Sequence, residues 1–186
     1  MTADIQTTWS LYTDWLRTQA PRTAQVLAAA ADDSVVSGLV DELGMSVPTS
    51  LETLLRITDG STGDDAYTRI LPGGMDLLSA RKISMYRNRY LVIAEEIADD
   101  DWWKPQWLPF AQRFEGREGY LLDASNPTCP VLKYTEADYP RMVAPSLAWF
   151  IDDLTSLAVN GTSSDDSPFR GYSARIENGA MYWERQ

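Results

Sequence analysis

The chain has 186 residues with 27 acidic and 16 basic side chains, a net charge of −11, no histidine and a single cysteine. Without an imidazole there is no Ser-His-Asp or Cys-His nucleophile and no HExxH zinc site, and one cysteine closes no internal disulfide and builds no thiolate metal cage. The acidity argues against docking on nucleic acid or anionic lipid, both of which are held by basic patches.

Taken in chain order, Ile5, Trp9, Tyr12 and Leu16 recur at the spacing of an amphipathic helix. Pro21 suits the first turn of a second helix carrying Val26, Leu27 and Ala30. Asp32-Asp33-Ser34 breaks that helix and caps a third, in which Val36, Leu39, Val40 and Leu43 face one way and Gly44 takes the left-handed C′ position. Thr49 and Glu52 form a capping-box pair for a fourth helix with Leu51, Leu54 and Leu55, stopped by Asp59-Gly60. A polar loop over 59–66 follows. Leu77-Leu78 opens another ordered stretch, in which Tyr86, Tyr90, Ile93 and Ile97 repeat at helical spacing.

Beyond this point the period shortens. Trp107–Ala111, Gly119–Asp123 and Pro130–Tyr134 are short apolar runs bounded by Gly, Pro and Asn, the pattern of an antiparallel meander. Val143, Leu147, Phe150, Ile151, Leu154 and Ala158 predict a final helix over 143–159, and residues 160–168 read as a flexible linker. Ser173–Ile176 and Ala180–Trp183 flank Asn178-Gly179, a tight-hairpin signal. Helices, then strands, then a helix predict an α+β domain: N-terminal helices, a twisted, mainly antiparallel sheet near 107–135, a packing helix and a C-terminal hairpin extension. The expected division is a domain over 1–159, with 160–186 as linker and extension packing on it.

Four stretches in this order carry a resemblance to the SUKH superfamily, in particular its Smi/Knr-like branch. Leu43-Gly44-Met45-Ser46-Val47-Pro48, with Leu51, Leu54, Leu55 and Asp59-Gly60, is similar to the family's LG-x-x-LP lead-in, leucine helix and Asn/Asp-Gly loop. Asp76-Leu77-Leu78-Ser79 resembles its leucine-serine segment ahead of a helix. Trp107-Leu108-Pro109-Phe110-Ala111 and Gly119-Tyr120-Leu121-Leu122-Asp123 resemble its paired strands, and Ala144-Pro145-Ser146-Leu147 its A-x-S-[LF] helix. The match spans about residues 36–154. Val47 stands where Leu or Ile usually precedes the proline, and 160–186 has no counterpart. The resemblance implies a non-catalytic protein-binding module: an immunity protein that neutralises a cognate bacterial toxin or, in the fungal manner, a scaffold in cell-wall regulation.

The candidate partner-binding residues are Asp99, Asp100, Asp101, Trp102 and Trp103, with Asp59, Asp64 and Asp65 of the polar loop. Five acids between Glu95 and Asp101 run into three tryptophans within six positions. Tryptophan supplies contact area and the carboxylates steer a basic protein toxin. The bland alternative is that Trp103 and Trp107 pack under the sheet and the acids form a solvated helix end, where they oppose the dipole. The C-terminal half holds −8 of the net charge.

Other chemistry is less well supported. The loop acids resemble a calcium chelate, but Asp64 and Ile70 stand where an EF-hand needs glycine and glutamate. Asp123, Glu115 and Glu118 could form a glycosidase pair, but with 27 acids such neighbourhoods arise by chance. A carbohydrate-active enzyme or lectin is the third reading. Cys129 reads as a passive thiol. No catalytic, cofactor-binding or metal-ligating residue is expected, and neither a nucleic-acid nor a membrane partner. Met1-Thr2-Ala3-Asp4-Ile5 has no basic n-region and no apolar run exceeds Val26–Ala31, so the cytoplasm is the expected compartment and Asn160-Gly161-Thr162 an accidental glycosylation match.

Overall fold

The computed structural model describes residues 4–62, 69–113 and 116–186. Its elements run α1 (Ile5–Gln19), α2 (Pro21–Ala24), α3 (Asp33–Leu43), α4 (Thr49–Leu55), β1 (Met75–Leu77), α5 (Ala80–Glu96), β2 (Trp107–Arg113), β3 (Glu118–Asp123), β4 (Val131–Thr135), β5 (Asp138–Ala144), α6 (Leu147–Asn160), β6 (Tyr172–Glu177) and β7 (Ala180–Arg185). Strands β1 to β5 form one antiparallel sheet in sequence order, and β6–β7 pair as a separate hairpin. The fold is α+β, as expected.

The alternation of side chains along the central strands divides the core. Leu108, Phe110, Tyr120, Leu122 and Val131 join α1, α4 and α6 in the main core. The intervening Leu121, Leu132 and Tyr134 face α5, where Tyr90, Ala94, Trp103 and Trp107 make a smaller aromatic cluster. Gly119 lies opposite Tyr134 in the β3–β4 register, and a Cβ there would stand 2.6 Å from the Tyr134 hydroxyl. Above it, Tyr134 and Tyr90 share the Gln112 Oε1 acceptor at 3.2 and 3.3 Å, and Tyr90 donates to the Gly116 carbonyl at 2.7 Å. The buried phenols thus have partners.

Local signals were accurate where they were strong. The Asp32 side chain accepts from Val35 N, Gly44 is left-handed at φ 64°, and the Asn178-Gly179 turn has φ 51° and 75°, both central residues positive as a type I′ hairpin requires. Five expectations need correction. The second helix is one turn, because residues 26–29 pair with 59–62 instead: Thr62 N donates to Val26 O and Asp59 N to Ala29 O, each at 2.8 Å. Pro48, not Thr49, is the N-cap of α4, and Glu52 pairs with Arg56 at 3.0 Å rather than closing a capping box. The buried stripe of α5 is Ile83, Arg87, Tyr90 and Ala94, with Ile97 exposed beyond its end. Val143 belongs to an unforeseen strand, β5, and α6 begins at Leu147 under a Ser146 cap. The fifth concerns the predicted linker, 160–168, which is held by Asp153 of α6. That carboxylate accepts from Ser164 N at 2.9 Å and from the Ser167 hydroxyl, and Phe169 is fully buried against Phe150, with ring centroids 4.8 Å apart.

The hairpin then returns to α2. Arg22 N donates to Gly179 O at 2.9 Å and Met181 N to the Thr23 hydroxyl at 2.7 Å, with Met181 fully buried. No helix among the described residues is long and apolar enough to cross a membrane.

Candidate functional site

The acidic-aromatic segment is built as a turn around one carboxylate. Helix α5 ends at Glu96, and Ala98 reverses the chain in a left-handed conformation at φ 54°. A non-glycine residue there is strained, and the turn that follows supplies the compensation. Asp99 Oδ1 accepts from Asp101 N at 3.1 Å and Trp102 N at 3.2 Å. Its Oδ2 accepts the Tyr139 hydroxyl of β5 at 2.7 Å. Donors at both oxygens offset the cost of placing acids at the C-terminal, negative end of a helix dipole. The same hydrogen bond, reinforced by the Asp99 charge, raises the Tyr139 phenol above its ordinary range.

Outward from this turn, Asp100 and Asp101 are exposed and Trp102 is half-buried, its ring edge-on to Tyr90 at 6.2 Å. Lys104 sits 3.3 Å from Asp101 and 5.6 Å from the centroid of the Trp107 ring. Trp103 is a different case. It is 2% exposed, packed 4.4 Å from Tyr90 and 5.2 Å from Tyr134, so it supports Trp102 from beneath and offers no surface to a partner. Trp107 is also buried.

The two halves of the sequence-derived site do not meet. Asp59 is half-buried and its Oδ1 accepts from Ala80 N at 2.7 Å, at the first turn of α5. Asp99 lies just past the other end of that 17-residue helix, a separation of about 25 Å from the helical rise alone. Asp59 is thus engaged in capping, and Gly60 beside it permits the close passage of residues 77–79, since a Cβ would stand 2.6 Å from Ser79 N. Asp64 and Asp65 lie outside the described residues.

Sequence reasoning missed Tyr139 and Met142, 53% and 69% exposed on β5, the edge strand that Asp99 grips. The available signal is a turn at Glu136-Ala137-Asp138 followed by β-compatible residues, which Pro140 masks because proline is tolerated only on an edge strand. The carboxylates considered for sugar chemistry are already engaged: Glu118 with Arg113 at 2.9 Å and Lys133 at 3.8 Å, and Asp123 with Ser125 N at 3.1 Å. Glu115 is outside the described residues. Burial and the Asp123 charge push the Cys129 thiol up, away from the reactive thiolate.

Compared with known protein families, residues 30–153 match the model of the SMI1 / KNR4 family (SUKH-1). The match runs from the approach to α3 into α6 and leaves α1, α2 and the C-terminal hairpin outside it. No curated protein matches the chain.

Proposed function

The chain belongs to the SMI1 / KNR4 family (SUKH-1), and from that premise we propose that it is a cytoplasmic bacterial immunity protein that binds a cognate basic toxin and occludes its active site. The family fits a non-catalytic immunity or regulatory module. What supports the finer reading is the Asp99-centred turn, which presents half-buried Trp102 directly after exposed Asp100 and Asp101 and ties the turn to the exposed Tyr139. A hot spot of this kind combines an aromatic anchor, seated on a buried aromatic cluster, with charges that orient an incoming cationic surface. Asp100, Asp101, Trp102 and Tyr139 are the contact residues, and Asp99 and Trp103 hold them in place.

Co-expression with the toxin encoded by the adjacent open reading frame tests this. Rescue of growth by the intact chain, lost on Asp101→Ala with Trp102→Ala while the double variant still unfolds cooperatively, is the expected result. Failure of the intact chain to rescue, with a housekeeping complex recovered in pull-down, would assign it to envelope-related scaffolding instead.

A further inference from the structure

On the sheet face opposite the acidic edge, the C-terminal hairpin and the sheet enclose a groove of about 770 Å³, within the size range of small-ligand sites. Its sheet side carries Arg113, Glu118 and Lys133, and its hairpin side Tyr172, Tyr182, Trp183 and Arg185. In a chain of net charge −11 this groove collects five of the 16 basic residues against three carboxylates. Arg113 and Lys133 share the single carboxylate of Glu118, at 2.9 and 3.8 Å, and Arg185 makes no ion pair among the described residues.

Arg185 is the cross-strand partner of Tyr172. A Cβ on Gly73 would lie 3.4 Å from the Tyr172 hydroxyl and one on Gly74 would lie 3.9 Å from Arg113 Nε, so the Gly73-Gly74 turn brings backbone close to both. The other wall carries two rings on one face of the hairpin: Tyr172 and Trp183 are half-buried, and Trp183 Nε1 is buried without an acceptor among the described residues.

We propose that this groove binds a nucleoside phosphate, its phosphates on Arg113, Lys133 and Arg185 and its base against the Tyr172 and Trp183 rings, which share one face of the hairpin with Arg185. Guanidinium groups recognise phosphate oxygens in bidentate fashion, and flat aromatic faces accept any base. The overall negative charge does not forbid it, because screening at physiological salt confines each charge to about 8 Å. The site is independent of toxin binding, since the hairpin that forms one wall lies beyond the family match and the acidic edge is on the α5 side of the sheet.

Calorimetric titration of the full chain with ADP, inorganic phosphate and a hexaglutamate peptide, in parallel, is the test. ADP is expected to bind at least tenfold tighter than phosphate or the peptide. Arg185→Ala and Arg113→Ala should each weaken ADP about tenfold, with thermal unfolding unchanged. The amide resonances of Gly73 and Gly74 should move on ADP addition. Absence of ADP binding, wild-type affinity in both arginine variants, or equal affinity for hexaglutamate would overturn the proposal.

Discussion

The Tyr139 hydroxyl and Asp99 Oδ2 meet at 2.7 Å across 40 residues of sequence, joining the edge strand of the sheet to the turn that ends α5. Through this bond the candidate surface draws on two distant segments, and the aromatic and acidic groups hold one relative position.

Replacing Tyr139 by Phe removes that tie and leaves the ring. Because the group is exposed, the melting temperature should stay within error of the parent, while toxin affinity falls several-fold through faster dissociation, as surface plasmon resonance would record. An unchanged dissociation rate would remove Tyr139 from the interface.

The two exposed carboxylates are expected to act on encounter. Asp100→Asn with Asp101→Asn should lower the association rate several-fold at low salt and flatten its salt dependence, with little change in dissociation. Stopped-flow measurements from low to physiological ionic strength decide it: parent association that is indifferent to salt rules out steering.

Asp59→Ala should behave in the opposite way. Loss of the acceptor for Ala80 N leaves a first-turn N–H of α5 unpaired, beside the Ser79 N-cap, and should cost about 1 kcal/mol in denaturant unfolding, with toxin affinity unaltered. A loss of affinity at unchanged stability would return Asp59 to the binding surface.

Gly119→Ala tests the α5 side of the sheet. With a Cβ placed 2.6 Å from the Tyr134 hydroxyl and against the Ala111 carbonyl, either strand or ring must shift, and destabilisation of about 2–4 kcal/mol is expected by chemical denaturation. Combined with Tyr134→Ala, which removes the ring at its own cost, the total loss should be less than the sum of the separate effects, because one of the clashes is gone.

Alkaline pH should unfold the protein before the phenols titrate normally. Burial raises Tyr12, Tyr90, Tyr120 and Tyr134 above the ordinary phenol value of 10. The folded state therefore keeps protons that the unfolded state releases, so this stability is complete below pH 10 and declines as pH rises through the folded-state values. Absorbance at 295 nm should show the phenolate signal rising together with loss of secondary structure. Fully reversible titration of all nine tyrosines within the native fold would contradict this.

Most helices and the sheet meander were legible because they rest on short-range terms. Apolar spacing, Asp32 as N-cap, Gly44 as C′ and the Asn178-Gly179 turn each act within a few residues. Errors arose where a distant segment competed for the same backbone. Residues 26–29 have helical composition but bond to 59–62, and Phe169 turns an apparently loose tail into part of the core.

The candidate site divides along the same line. Absence of histidine, the scarcity of cysteine, the −11 charge and the order of the family motifs are properties of the chain alone, and the first two exclude imidazole-dependent catalysis and thiolate metal cages. Which of two adjacent tryptophans faces solvent, which aspartate is spent on a helix cap, and that Tyr139 completes the edge were decided only by tertiary contacts. The reason is physical: Trp102 and Trp103 have the same intrinsic preference for burial, and only the position of Tyr90 and Tyr134, brought in from α5 and β4, determines which ring is enclosed.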